Sequence, residues 1–241
     1  MAKLYIGLSG YSYKEWQGEG RFYPPEMKQA KYLEYYVSRY NALEADGTWY
    51  QMPSESGVQK WIDQSPAEFK VSPKMHRQVT HYSRLKPDGM DSLKFFLKRL
   101  EPLEKASKLG AILVQLPPNL KRDDERLAGF LAEIPYRDTL PWCIEFRNET
   151  WHAPEVEAML RGRDVAWVAA DTDDADAQRR DTGSFIYARL RKTDYPDDLL
   201  QNWAAYFRGK MAEGKDCYVY CKHEDAESPW VWADRIIELL R

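Results

Sequence analysis

Eight short apolar runs recur along the chain, each closing on polar or charged residues: 4–9, 42–45, 69–72, 111–115, 142–146, 165–171, 185–190 and 217–221. Amphipathic stretches separate almost all of them. Tyr32, Leu33, Tyr36, Val37 and Tyr40 fall on a helical period, which predicts a helix over 30–39. Ser54 can cap a helix running through Ile62. A long helix is expected from Asp91 to about Ser107, with Leu93, Phe96, Leu97, Leu100 and Leu103 on one face. Asp123 or Asp124 can cap the next, Pro154 opens a short one, and the last two run from near Pro196 to Met211 and from about Pro229 to Leu240. The sixth interval, 172–183, is acidic and then basic with no apolar stripe, and predicts a loop or a single turn.

A strand-helix unit repeated eight times is what a closed (β/α)8 barrel of the α/β class requires, here with a degenerate sixth helix and one domain over residues 1–241. In that fold the carboxyl ends of the strands line the active site. Those ends read Ser9-Gly10-Tyr11, Glu44-Ala45-Asp46, Lys74, Gln115, Glu145-Phe146-Arg147, Asp171, Arg189 and Lys222-His223. The competing doubly wound sheet would carry a Gly-rich phosphate loop after an early strand, and Gly7-Leu8-Ser9-Gly10 does not match one.

Composition narrows the partners. Hydrophobic residues make up 44% of the chain and charged residues 30%, and the formal net charge is −3. That balance gives no general attraction to nucleic acid or to an anionic membrane. No apolar run approaches the ~20 residues that span a bilayer. Met1-Ala2-Lys3 leads straight into a strand, so a signal peptide is not expected and the chain reads as cytoplasmic. Cys143, Cys217 and Cys221 lie in apolar runs and read as small buried hydrophobes in a reducing compartment.

Several strand ends carry chemistry. Glu44 with Asp46, and Glu145 with Arg147, stand two apart, a spacing that puts both side chains on one side of a strand. Carboxylates converging from different strands can divide acid and base roles, and the same residues can equally be satisfied ion pairs. Lys74, Arg147, Arg189 and Lys222 form a set of cations suited to an anion. Glu44, Asp46, Glu145 and Asp171 balance them, so a neutral polar ligand also fits. His76, His81, His152 and His223 could shuttle protons, or with carboxylates hold a divalent metal, although no HxH or HExxH spacing is present. The run from Asp171 to Asp176 fails as a calcium loop because Ala175 and Asp176 stand where a ligand and a glycine belong. Tyr11, Tyr13, Trp16, Phe22 and Tyr23, then Trp49-Tyr50, crowd the first two strand-helix loops; packing over the mouth is expected for most, with one or two lining a pocket.

A collinear set of segments resembles the DUF72 (YecE-like) family. It includes residues 6–16, Phe22-Tyr23-Pro24, 43–50, 69–74, Thr80-His81, Gln115-Leu116-Pro117-Pro118, Glu145-Phe146-Arg147 with Trp151, Ala170-Asp171 and Tyr187-Ala188-Arg189-Leu190. The resemblance implies a TIM-barrel-like fold and supplies no activity. Members often carry Asn-Ser where this chain has Asp46-Gly47, and His where it has Arg191.

The resulting expectation is an enzyme that binds a small polar, anionic substrate at the carboxyl-end mouth. Glu44 and Glu145 would be acid/base groups, with Lys74, His81 and Asp171 beside them as catalytic candidates. Tyr11, Asp46, Gln115, Arg147, Arg189 and Lys222 would bind the substrate. No cofactor is required, and a divalent metal is permitted. The rival readings are a metal-dependent phosphodiesterase acting on nucleic acid, which the acidic charge disfavours, and a non-catalytic ligand-binding module. Protein partners are not legible in the sequence.

Overall fold

Alternation along each run decides which side chains enter the barrel and which meet the helices. The computed structural model describes residues 2–135, 140–222 and 228–241. Among them are eight strands: β1 (Leu4–Ser9), β2 (Ala42–Ala45), β3 (Lys70–Pro73), β4 (Ile112–Gln115), β5 (Trp142–Glu145), β6 (Ala166–Ala170), β7 (Phe185–Leu190) and β8 (Asp216–Cys221). They form a sheet in the order β3-β2-β1-β8-β7-β6-β5-β4, and every ladder is parallel. Isolated bridges between Val71 and Leu109 and between Lys74 and Leu113 join β3 to the β4 side, so the barrel is nearly closed.

The helices are α1 (Tyr32–Arg39), α2 (Glu55–Gln64), α3 (Met90–Lys105), α4 (Asp124–Glu133), α5 (Pro154–Arg161), α6 (Asp197–Ala212) and α7 (Pro229–Leu240). The Ser54 side chain caps α2 by accepting from the Gly57 amide at 3.0 Å. Asp123 caps α4 through the Arg126 amide, while Asp124 pairs with Arg122 instead. Among the described residues no helix lies between β6 and β7. The chain returns there as a loop held by Thr182, whose hydroxyl accepts from the Trp167 amide and donates to the Val165 carbonyl. No helix among the described residues is long and apolar enough to cross a membrane.

Tyr5, Phe185, Tyr187, Tyr218 and Tyr220 fill the barrel interior against the smaller Ala42, Ala111, Cys143 and Ala166. Their strand neighbours Ile6, Leu8, Ile112, Ile144, Ile186 and Val219 pack outward beneath the helices. Cys217 and Cys221 belong to that outer layer, and all three cysteines are buried thiols. At β1 and β2 the Tyr36 hydroxyl of α1 enters the ladder, accepting from the Leu8 amide at 2.7 Å and donating to the Ala42 carbonyl at 2.9 Å. A Cβ on Gly7 would lie 1.9 Å from that carbonyl and 2.6 Å from the hydroxyl, so this position requires glycine. The aromatic first loop does what packing predicts: Trp16, Phe22 and Tyr23 are buried, with Trp16 and Phe22 against Trp230 of α7.

Candidate active site

Above the tyrosines, the last inward position of several strands is polar. Ser9, Glu44, Gln115, Glu145 and Arg189 form one layer, and all five are buried. Arg189 is its centre. Its Nε and Nη2 donate to the two oxygens of Glu44 at 2.9 and 2.7 Å, and its Nη1 donates to Glu145 Oε2 at 2.6 Å. Ser9 and Tyr187 complete the Glu44 carboxylate at 2.5 and 2.7 Å. Gln115 Nε2 donates to both Glu145 oxygens at 2.9 Å. Burial alone would raise both carboxyls. Arg189 and the hydrogen bonds outweigh it: Glu44 is lowered, and Glu145, facing Arg189, Arg191, Gln115 and Lys74, is held at about 2.

Over this floor stands a rim of cations. Lys74 follows β3 and is 7% exposed, with its Nζ 5.2 Å from the centre of the Trp49 ring. Burial, together with Arg189 and Lys222, pushes its amine down to about 7 against the opposing pull of Glu145 and Glu44. The Thr48 hydroxyl lies 2.6 Å from the Lys74 carbonyl and fixes the backbone there. Arg147 and Arg191 approach Glu145 Oε1 at 3.9 and 3.6 Å. His81 sits in a π-helical turn, Gln78–Tyr82, and its Nδ1 lies 3.3 Å from Trp49 Nε1. Indole nitrogen only donates, which assigns the accepting role to Nδ1 and the proton to Nε2. Burial, then Lys74, Arg147 and Arg84, lower His81 to about 4, so it is neutral at pH 7.

Of the other expected site residues, Tyr11, Asp46 and Asp171 lie apart from this pair of layers. Strand β2 ends at Ala45, and Asp46 opens a 3-10 turn, Asp46–Trp49, so the expected same-side pairing of Glu44 and Asp46 stops with the strand. Asp46 accepts from the Tyr13 hydroxyl at 2.6 Å and, with Tyr11, lines a separate 310 Å³ cavity over the α2 amino end. Asp171 accepts from the Tyr195 hydroxyl at 2.6 Å, the Arg191 amide at 2.7 Å and Trp203 Nε1 at 3.3 Å, and its burial raises its pKa. It ties the β6 exit to the segment after β7 and faces α6. Lys222 ends the β8 side of the rim; His223 lies outside the described residues. His152 lines a 510 Å³ cleft with Glu145, Arg147, Trp167 and Arg191, opened where no helix follows β6. Among the described residues no three His, Cys, Asp or Glu side chains are grouped to hold a metal.

Sequence reasoning omitted Arg191 and Tyr187 from the site and named Trp49 only among aromatics of which one or two would line a pocket. The signal for the first two was available: Tyr187, Arg189 and Arg191 stand at alternate positions along β7 and its extension, so they share the inner side. Trp49 gave no such signal, because its contact with His81 joins two loops.

A family model described as "Protein of unknown function DUF72" matches residues 5–241. The UPF0759 protein YunF of Bacillus subtilis is 27% identical over 157 residues, covering 63% of this chain and 53% of YunF, so the match spans about half of that relative's length. A crystal structure of a DUF72 family protein from Thermotoga maritima superposes with a TM-score of 0.79 at 21% identity, covering 99% of each chain. A family 2 AP endonuclease from Brucella melitensis superposes with a TM-score of 0.56 at 10% identity, covering 95% of each. At these identities both structures report the shared barrel fold.

Proposed function

The chain belongs to the DUF72 family, described as proteins of unknown function, and we propose from the geometry of its mouth that it is an enzyme acting on a small polar anion. The observation that carries this reading is the rim: Lys74, Arg147 and Arg191 gather around Glu145, which shares the buried Arg189 with Glu44. Among the floor and rim side chains themselves, Arg189, Arg147, Arg191 and Lys74 face the two carboxylates of Glu44 and Glu145, while Glu149, Asp174 and Asp176 line the outer part of the same cleft. A bound carboxylate or phosphate meets these cations, with Arg147 and Arg191 as its donors. Within this reading the proton-transfer role moves from the carboxylates to Lys74. Glu44 is locked by Ser9, Tyr187 and Arg189, and Glu145 at about 2 is too weak a base, whereas an amine near 7 both gives and takes a proton at neutral pH.

The test is a thermal-shift titration with succinate, phosphate and sugar phosphates. A ligand at 100 times its Kd stabilises the folded chain by about 2.7 kcal/mol. The expected result is a shift in the unmodified protein that Arg147→Ala cuts to about half. No shift with any of these anions, or equal shifts in both proteins, overturns the reading. Turnover of the stabilising compound, lost in Lys74→Met, separates an enzyme from a binding module.

One observation favours a second reading, a single-stranded nucleic acid crossing the mouth. Tyr50 and Tyr82 are each 63% exposed, and Arg77 stacks over Trp49 and Tyr82 at 5.8 and 5.6 Å, a cationic aromatic platform beside Lys74. Salt-sensitive binding of a short oligonucleotide, weakened in Tyr82→Ala, is its expected signature. Absence of binding at low salt removes it.

A further inference from the structure

Lys74 is 7% exposed as a residue, and among the described residues its amine has no hydrogen-bond acceptor; what it meets is the Trp49 ring. The amine keeps contact with solvent at the mouth instead of with a protein acceptor. A neutral amine in the same place keeps its lone pair available. With its pKa near 7, about half of the Lys74 amine is uncharged at neutral pH, against roughly one part in two thousand for an ordinary lysine. Desolvation beside other cations is a general route to an amine that attacks carbonyl carbon.

We propose that Lys74 forms an iminium with an aldehyde or ketone that carries a carboxylate or phosphate, the anionic group being held by Arg147 and Arg191. The inference rests on the reading of the mouth as an anion site. In the step, the Nζ lone pair attacks the carbonyl carbon and the C=O π electrons move to oxygen. A proton passes from nitrogen to that oxygen, giving a carbinolamine. Uptake of one proton from solvent lets the oxygen leave as water while the nitrogen lone pair closes the C=N bond. The product cation stands where Lys74 now faces Glu145, whose ionised carboxylate stabilises it without accepting a proton. The iminium then draws electrons from a bond to the neighbouring carbon, so the reaction class is making or breaking a bond next to a carbonyl.

The experiment incubates the intact chain with pyruvate, glyoxylate or dihydroxyacetone phosphate and sodium cyanoborohydride, which delivers hydride to the iminium carbon and leaves a stable secondary amine. Peptide mapping by mass spectrometry reads the site. The expected result is one adduct at Lys74, formed at least about tenfold faster than at the exposed Lys105, with phosphate competing. Lys74→Arg keeps the positive charge and should lose the adduct while melting cooperatively. Adducts spread over surface lysines without enrichment at Lys74, or no adduct with any of the three compounds, overturn the proposal. The succinate and phosphate shifts distinguish the failures: if they persist, the anion site stands and the iminium falls, and if they are absent as well, both fall.

Discussion

Glu44 and Glu145 share one arginine on one layer of the barrel, and they differ in what lies above them. Glu44 is sealed: Ser9, Tyr187 and two nitrogens of Arg189 occupy its oxygens, and it has no exposed surface. Glu145 takes one nitrogen of Arg189 and the Gln115 amide, and its outer oxygen faces Arg147, Arg191 and the open cleft. The floor is therefore an ion-pair network that holds five strands in register, whereas the rim carries cations with room for a ligand. Burial makes the first a matter of stability, since an unpaired charge cannot return to water there. Partial exposure makes the second a matter of binding, since exposed ion pairs contribute little to folding.

The largest expected effect comes from Arg189→Met, which strands two buried carboxylates. It should cost about 3–5 kcal/mol in urea denaturation, and a loss under ~1 kcal/mol would break the distinction between floor and rim. The two carboxylates should then separate. Glu44→Gln is expected to cost about 2–3 kcal/mol, and Glu145→Gln less, because more of its surroundings can hydrate. Equal losses would make the layer one network without a working side.

Lys74→Met probes the boundary between the two. Its folded pKa lies below the unfolded value, so between about pH 7 and 10.4 the unfolded chain binds the extra proton and wild-type stability rises with pH. The variant lacks that slope. It should be more stable than wild type at pH 6 by on the order of 2 kcal/mol, with the gain shrinking as pH approaches 10. A gain independent of pH would assign it to packing. Glu145 gives a slope of the same sign in an acidic window: its contribution is present above the unfolded carboxylate value and is lost as pH falls toward 2. The smallest stability effect belongs to Arg147→Ala, within about 0.5 kcal/mol. Its expected mark is an anion Kd weakened about tenfold, or 1.4 kcal/mol, by calorimetry.

The barrel was legible because its code is local. Alternation along eight runs, the Ser54 cap, the Pro154 start and the missing apolar stripe over 172–183 each report one element, and the elements formed accordingly. The strand ends could also be listed from the sequence, which identifies most residues of the mouth, Arg191 and Tyr187 excepted. Which of them pair was not legible. Glu44 meets Arg189 across 145 positions of chain, and the expected partner of Glu145, two residues away at Arg147, stands at 3.9 Å while Arg189 stands at 2.6 Å. Asp171 ends its strand as foreseen, yet its side chain serves Tyr195, Trp203 and the Arg191 amide.

Periodicity and capping thus determined the fold class, the strand ends and the identity of the polar layer, because those follow from interactions a few residues apart. Only the closed barrel decided charge and role. Bringing β2, β5 and β7 together buries two carboxylates on one guanidinium, holds both in their ionised form, and leaves Lys74 largely desolvated without an acceptor among the described residues. Each of those properties depends on distance and burial in three dimensions, for which residue spacing along the chain has no counterpart.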